Sequence, residues 1–236
     1  MHLKISDMDM LHGSLAGKLL LFTLPIALSS MVQQLFNAAD TAVAGHFGSA
    51  NALAAVGTNT EIIALIVTVS SGLSIGANVL IAKHVGRNEA EKLPAAVQTA
   101  MRLAMCIGVI GLLLGQIAAA PLLRLIRTPE EIFDAAALYL RIYMLGYPFL
   151  LLYDFGAACL RARGDSRYPF LALLLSGFAN VGLNLLFTAG LRMGVAGVAI
   201  ATDLSTMLSA FLVLRRLAKD AVFRFAILNQ RSARNG

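Results

Sequence analysis

Hydrophobic residues fall in long blocks separated by short polar breaks. Residues 19–39, 62–82, 103–123 and 168–191 contain no Asp, Glu, Lys or Arg. Each block reaches the roughly 20 residues an α-helix needs to cross a bilayer. Extending the pattern to the nearest breaks predicts six helices: Leu15–Gly45, Leu53–Ala82, Pro94–Leu123, Ile132–Leu160, Tyr168–Ala189 and Val195–Leu217. GHFGSANA closes the first, KHVGRNEAEK the second and RTPEE the third, with Pro129 placed to start the fourth. The fold class expected is an all-α membrane protein, a six-transmembrane-helix bundle over residues 15–217. A cytoplasmic segment, 1–14, precedes it and a basic cytoplasmic tail, 218–236, follows. MHLKISDMDMLHGSLAGK has no apolar core ahead of a cleavage site, so the first helix is expected to be retained.

Charge sets the orientation. Of the 19 Lys and Arg residues, fifteen fall in alternate breaks that share one side, among them Lys83, Arg87, Arg161, Arg163, Arg215 and Arg216. Only Arg124, Arg127 and Arg192 fall on the other side, with Arg141 inside the fourth helix. The positive-inside rule then predicts a multi-pass protein of the cytoplasmic (inner) membrane with both termini cytoplasmic.

Composition narrows the function classes. The chain is 58% hydrophobic and 14% charged, against about a quarter charged in a soluble domain. Its net charge of +6 does not indicate a nucleic-acid partner, because the basic residues lie in short breaks and not on one folded face. Cys106 and Cys159 lie in apolar helices without a CxxC partner and read as packing residues. The four His residues lack ligand spacing, so no metal site is expected. No Ser/His/Asp, HExxH or phosphate-loop pattern points to an enzyme.

Polar residues inside the helices carry the chemistry. A charge at mid-bilayer costs about 2.5–3.5 kcal/mol even on lenient scales, so it needs a partner, a proton or a water-filled cavity. At about 1.5 Å per residue, Asp40, Asn180, Asn184 and Asp203 reach similar depths in the outer half from three different helices. Gln33, Asn37 and Asp40 share one face of the first helix at i, i+4 and i+7. Ser176, Asn180, Asn184 and Thr188 repeat every four residues down the fifth, and Thr68, Ser71 and Asn78 mark a similar face of the second. Such stripes are either interhelical hydrogen bonds or a cavity wall. Asp40 has no basic neighbour on its own face and is the first candidate for exchanging a proton. Glu61 lies near the outer end of the second helix, within reach of headgroups. Arg141 and Asp154 read as structural, Arg141 snorkelling outward and Asp154 snorkelling inward or meeting Arg161. Pro25 is a kink or a hinge in the first helix.

These residues carry a resemblance. LPIALSSMVQQLFNAADTAVAGHFG followed by ALAAVG, then GLSIGANVLIAKHVGRNE, LRARGDSRYP, NVGLNLLF and GVAGVAIATDLS, resembles the multidrug and toxic compound extrusion family, in order across residues 19–217. The resemblance implies two six-helix lobes related by a pseudo-two-fold axis, which export organic cations against protons or sodium. It matches Asp40 to the family's acidic residue in the first helix, Asn180 to an Asn in the fifth and Thr202 to a Thr in the sixth. Asn184 stands where some prokaryotic members have Asp, and Asp203, beside Thr202, is the candidate to replace that carboxyl. Gln33, Asn37, Glu61 and Ser176 are then expected to line the cavity.

The expected activity is a cation-coupled antiporter lobe with no cofactor, coupled to H⁺ or Na⁺. Its expected partners are a small cationic organic substrate, the lipid bilayer and a second six-helix lobe, from another copy or another chain. The chain carries six of the family's twelve helices, so a fragment is expected over a working dimer of halves. Two rivals remain. A lipid-linked oligosaccharide flippase of the same superfamily would line its cavity with cations, and a non-transporting membrane assembly subunit would need no buried carboxyl.

Overall fold

A computed structural model describes residues 15–47 and 50–219, with side chains from residue 23 onward. The expected segment 1–14 and the tail from residue 220 lie outside the described residues. The helices are α1 (Leu15–Phe47), α2 (Ala50–Gly86), α3 (Leu93–Leu125), α4 (Glu130–Leu145), α5 (Tyr147–Ala162), α6 (Arg167–Asn184) and α7 (Gly194–Lys219). After Asn184, α6 widens into a π-helical turn, Leu185–Gly190. No strand occurs among the described residues.

The burial pattern is inverted relative to a water-soluble protein. Ile117 and Leu125 of α3, Leu65 of α2 and Leu35 of α1 are 65–78% exposed. Asn59, Ser70, Asn180, Asn184 and Thr188 are buried. Apolar residues outside and polar residues inside suit a hydrocarbon surround. Helices α2, α3, α6 with its π turn, and α7 are each long and apolar enough to span a bilayer, and α4 with α5 reaches that length only as a bent pair. The protein is therefore a multi-pass membrane protein. Helix α1, at 33 residues, is about 50 Å long. It carries Gln33, Gln34, Asn37 and Asp40 in its middle and falls outside that apolar set.

The fourth helix expected from the sequence is two helices. Helices α4 and α5 meet at Gly146 with a bend of 46°. Pro148 has no N–H to give the carbonyl of Met144, and the chain closes the corner with tighter bonds, Gly146 N–H to Tyr143 O at 3.1 Å and Phe149 N–H to Gly146 O at 3.0 Å. Helix α3 follows the corner closely. Its Gly108, Gly111 and Gly115 fall at i, i+3 and i+7, where added Cβ atoms would meet Pro148, Tyr147 and Met144 respectively. At Gly108 the obstruction is the Pro148 Cα itself, 2.6 Å from the would-be Cβ. Backbone cannot swing aside as a side chain can. Gly108→Val is therefore expected to lower the unfolding midpoint in detergent, at a cost of about 1–3 kcal/mol. Gly76→Ala, where an added Cβ meets nothing within 4 Å, should leave it unchanged.

Helix α5 is the hub, packed against α2, α3 and α7. Its run Leu150–Leu160 is buried throughout. Leu151, Phe155 and Leu160 pack with Ile81, Val213 and Leu217 into one core toward the basic end of the bundle. A second core at the opposite end is alanine-rich, with Ala44, Ala55, Ala136 and Ala199 letting backbones approach. There the Asn59 amide, fully buried, donates to Ala55 O at 2.9 Å and across to Ala136 O at 3.0 Å, fastening α2 to α4. Charges gather at the basic end. Glu89 pairs with His84 at 2.7 Å and Lys92 at 3.3 Å in the α2–α3 turn, and Asp165 pairs with Arg216 at 3.3 Å.

Two expectations change. Asp154 neither snorkels nor pairs with Arg161. It is buried on α5, where the Ser71 hydroxyl donates to its Oδ2 at 3.4 Å. Cys159 is packed as expected, but Cys106 is exposed on the outer side of α3. Arg141 is exposed, and its carbonyl accepts from the Gln116 amide at 2.8 Å.

Candidate cation-binding site

Three helices meet around Asp40. The i, i+4, i+7 spacing on α1 directs Gln33, Asn37 and Asp40 toward α6 and α7, and only Asp40, the deepest of the three, is fully buried. On α6 the four-residue repeat faces inward throughout, with Ser176, Asn180, Asn184 and Thr188 all buried. Helix α7 contributes Thr202.

These side chains close a ring of hydrogen bonds. The Asn184 amide donates to Asp40 Oδ1 and to Asn180 Oδ1, the latter at 3.2 Å. The Asn180 amide donates to Thr202 Oγ1 at 3.4 Å. The Thr202 hydroxyl lies 3.3 Å from Asp40 Oδ2 and 3.0 Å from its own helix's Val198 carbonyl. One hydroxyl proton cannot serve both acceptors, so Thr202 must choose between the carboxylate and the backbone. Among the described residues no ion pair reaches Asp40. Asn184 Oδ1 and Thr188 Oγ1 are buried without a partner. The ring therefore offers carboxylate, amide and hydroxyl oxygens, short of one positive charge and at least one donor. A proton or a hard monovalent cation supplies that deficit.

The π turn begins where the ring ends. Leu191 N–H reaches back to Leu186 O at 2.9 Å and Met193 N–H to Phe187 O at 2.9 Å. The widened turn carries the unpartnered Thr188, and π turns inside α-helices occur often at functional sites. On the other side of the ring α1 and α6 touch closely, because Gly177 leaves room for the Phe36 ring where any Cβ would collide.

Asp203 stands apart from the ring. Adjacent residues of a helix point about 100° apart, so with Thr202 facing α1 and α6, Asp203 faces α4. Its carboxyl lies against the Gly146 backbone at the α4–α5 corner, where a Gly146 side chain would have to sit. The carboxyl grouped with the ring in the sequence is thus at the bend.

Beside the ring opens a cavity of about 610 Å³. The sequence-predicted Gln33, Asn37, Asp40, Glu61, Ser176, Asn180 and Thr202 line it. Asn184 lies behind them in the ring and Asp203 outside. Glu61 is exposed on the cavity wall. Among the described residues no Lys, Arg or His lines the cavity, and the carboxyls that do are Asp40 and Glu61. Sequence reasoning missed two walls. Tyr139 and Tyr143 line it from α4, and Ser205, Thr206 and Ser209 extend the Thr202 face of α7. The signal was present in both: hydroxyl side chains at i, i+4 on α4, and at i, i+3, i+4, i+7 on α7.

Comparison with known proteins bears on the fold. The MatE family profile matches residues 25–186. The probable multidrug resistance protein YoeA of Bacillus subtilis is 32% identical over 198 residues, 82% of this chain and 42% of that protein. An FAD transporter of Shewanella oneidensis is 27% identical over 226 residues, 90% of this chain and 50% of that protein. A crystal structure of a MATE protein in its bent conformation superimposes with a TM-score of 0.80 at 26% identity, over 85% of this chain and 45% of that one. The chain thus spans about half the length of the relatives it matches. It belongs to the MATE family of membrane transporters and covers roughly one lobe of the fold.

Proposed function

We propose that this lobe belongs to a cation-coupled antiporter that exports small cationic amphiphiles, with Asp40 as the group that exchanges substrate drive for H⁺ or Na⁺. The observation that carries the reading is the Asp40 ring, a buried carboxylate held by neutral donors and, among the described residues, without an ion-pair partner, opening on a cavity whose described lining is acidic and not basic. Asn180, Asn184 and Thr202 share the coupling ion with Asp40. Gln33, Asn37, Glu61 and Ser176 face the substrate. Pro25 serves as the hinge of α1, since it deprives the preceding turn of a hydrogen bond and Ser29 already satisfies the Pro25 carbonyl at 2.7 Å.

In the working protein residues 15–217 form six spans, α1 being the sixth, with the basic ends of the helices and both termini on the cytoplasmic side of the inner membrane. That disposition follows from the fifteen-to-three division of basic residues. A second lobe closes the cavity on its open side.

The test is ethidium binding to the purified protein in lipid nanodiscs, followed by fluorescence. Ethidium is expected to bind in alkaline, sodium-free buffer and to be displaced as either pH falls or Na⁺ rises, whichever is the coupling ion. Preferred binding of an anion such as FAD or a polyprenyl pyrophosphate would sink the cationic-substrate assignment. Binding indifferent to both ions would sink the coupling.

A further inference from the structure

The Asp40 ring leaves one buried carboxyl of the lobe unexplained. Asp154 lies within the enclosed run of α5, 7% exposed, and the hydrogen bond to its carboxyl comes from Ser71 Oγ at 3.4 Å. Among the described residues no ion pair reaches it. One turn further toward the basic end, the Asn78 amide donates to Ala158 O at 2.9 Å. Thr68, one turn before Ser71, lines the cavity, and so does Tyr153, the neighbour of Asp154. The Thr68, Ser71 and Asn78 stripe, for which the ring provides no role, therefore runs from the cavity wall past Asp154 toward the Lys83 end of α2.

We propose that Asp154, with Ser71 and Asn78, is a second protonation site of the lobe, a relay that carries protons between the cavity and the basic ends of α2 and α5. The inference rests on reading the cavity as ion-coupled. A packing role alone does not account for a carboxyl here, because the buried neighbours Leu151, Phe155 and Leu160 are apolar and an uncompensated charge in such a site is costly.

The surroundings favour a proton over a metal cation. From α2 the facing group is Ser71. On α5 itself the titratable neighbours are Tyr153 and Arg161, the latter two turns away. Helix α4 brings Tyr143 to the same cavity wall that Tyr153 lines. Helix α3 brings no charge, since its Arg102 and Cys106 are exposed on other faces. Helix α7 packs on α5 through Val213 and Leu217 at Gly156, and its Asp203 is engaged at Gly146. One carboxylate and one hydroxyl are too few oxygens to replace the shell of about six that a hard cation requires, and Arg161 repels such an ion. A proton needs only the carboxylate, and the Ser, Thr and Asn side chains along the stripe can hold the waters that deliver it.

Infrared difference spectroscopy of the chain in nanodiscs reads this directly, without requiring transport. On acidification the wild-type protein is expected to gain separate carboxylic C=O bands. Asp154→Asn should remove one of them and Asp40→Asn another. After an acid jump, the rise of the Asp40 band is expected to slow about a hundredfold in Asp154→Asn, the scale on which one positioned proton-transfer group acts. An Asp154→Asn spectrum that superimposes on wild type, or an unchanged Asp40 rise time, overturns the relay. Should Asp154→Asn fail to fold, Ser71→Ala takes its place. That variant should shift the frequency of the Asp154 band by removing its donor, and an unshifted band set overturns the relay equally. Loss of ion coupling at Asp40 is registered separately, as an Asp40→Asn spectrum with no missing band.

Discussion

Asp40→Asn is expected to leave the protein folded and able to bind ethidium while erasing the response of binding to pH and to sodium. The substitution preserves the shape of the side chain and keeps an acceptor for Asn184 or Thr202, so the contacts between α1, α6 and α7 survive. It removes the only member of the ring that can exchange a proton or present a full negative charge to a cation. Linkage between the sites then vanishes, because a ligand shifts an equilibrium only through its differential interaction with the two states. The coupling to be lost is on the order of 1–3 kcal/mol, about a 5–150-fold change in ethidium affinity across the pH or sodium range. Asn184 touches the Asp40 carboxyl from the opposite side of the ring. Moving the charge there, in the double variant Asp40→Asn with Asn184→Asp, is expected to restore ion dependence. A single variant with intact ion dependence would move the coupling elsewhere, and an inert double variant would show that the α1 position itself matters.

The sequence revealed the helices more readily than their relations. Blocks free of charge located the helical segments to within a few residues, because the bilayer penalises charge in the middle of a span. The four-residue stripe on α6 and the Gln33, Asn37, Asp40 face of α1 were visible for the same reason. Polar residues at helical spacing in an apolar run must share a neighbour, and Asn180, Asn184 and Thr202 prove to be the neighbours of Asp40. The corner at Gly146 was harder to see. Pro148 marked a weak point, yet a Pro inside a span is tolerated as often as it breaks one, and the bend depends on α3 offering Gly108 and Gly111 to receive it. Depth and its place beside Thr202 both group Asp203 with Asp40, and neither carries the direction of its side chain. Rotation about the α7 axis, which sets it against Gly146, requires knowing which face of α7 meets which helix. The π turn at Leu185–Gly190 left no mark in composition, since LLFTAG reads equally well as ordinary helix.

Gly177→Ala is expected to disable the ring from one turn away without touching any residue in it. Phe36 lies four residues before Asp40 on the same face of α1, and Gly177 lies three before Asn180 on the inward face of α6. The Phe36 ring occupies the space of the missing Gly177 side chain, meets Phe178 edge-on at 6.1 Å and borders the cavity. A methyl group there must displace that ring, and where the ring holds its place against Phe178 it pushes α1 away from α6, an overpacking cost of about 1–3 kcal/mol. The displacement falls on hydrogen bonds with no slack. Thr202 to Asp40, which ties α1 to α7, is already 3.3 Å, so it passes beyond bonding distance first. Thr202 then gives its proton wholly to Val198 O, and Asp40 loses a partner. Gly177→Ala should therefore lower the unfolding midpoint and weaken the ion dependence of ethidium binding together. Phe36→Leu, by returning volume to the contact, should recover both in the double variant. If the stability loss is rescued and ion dependence is not, the α1–α6 approach at Gly177 holds the lobe together but does not set the geometry around Asp40.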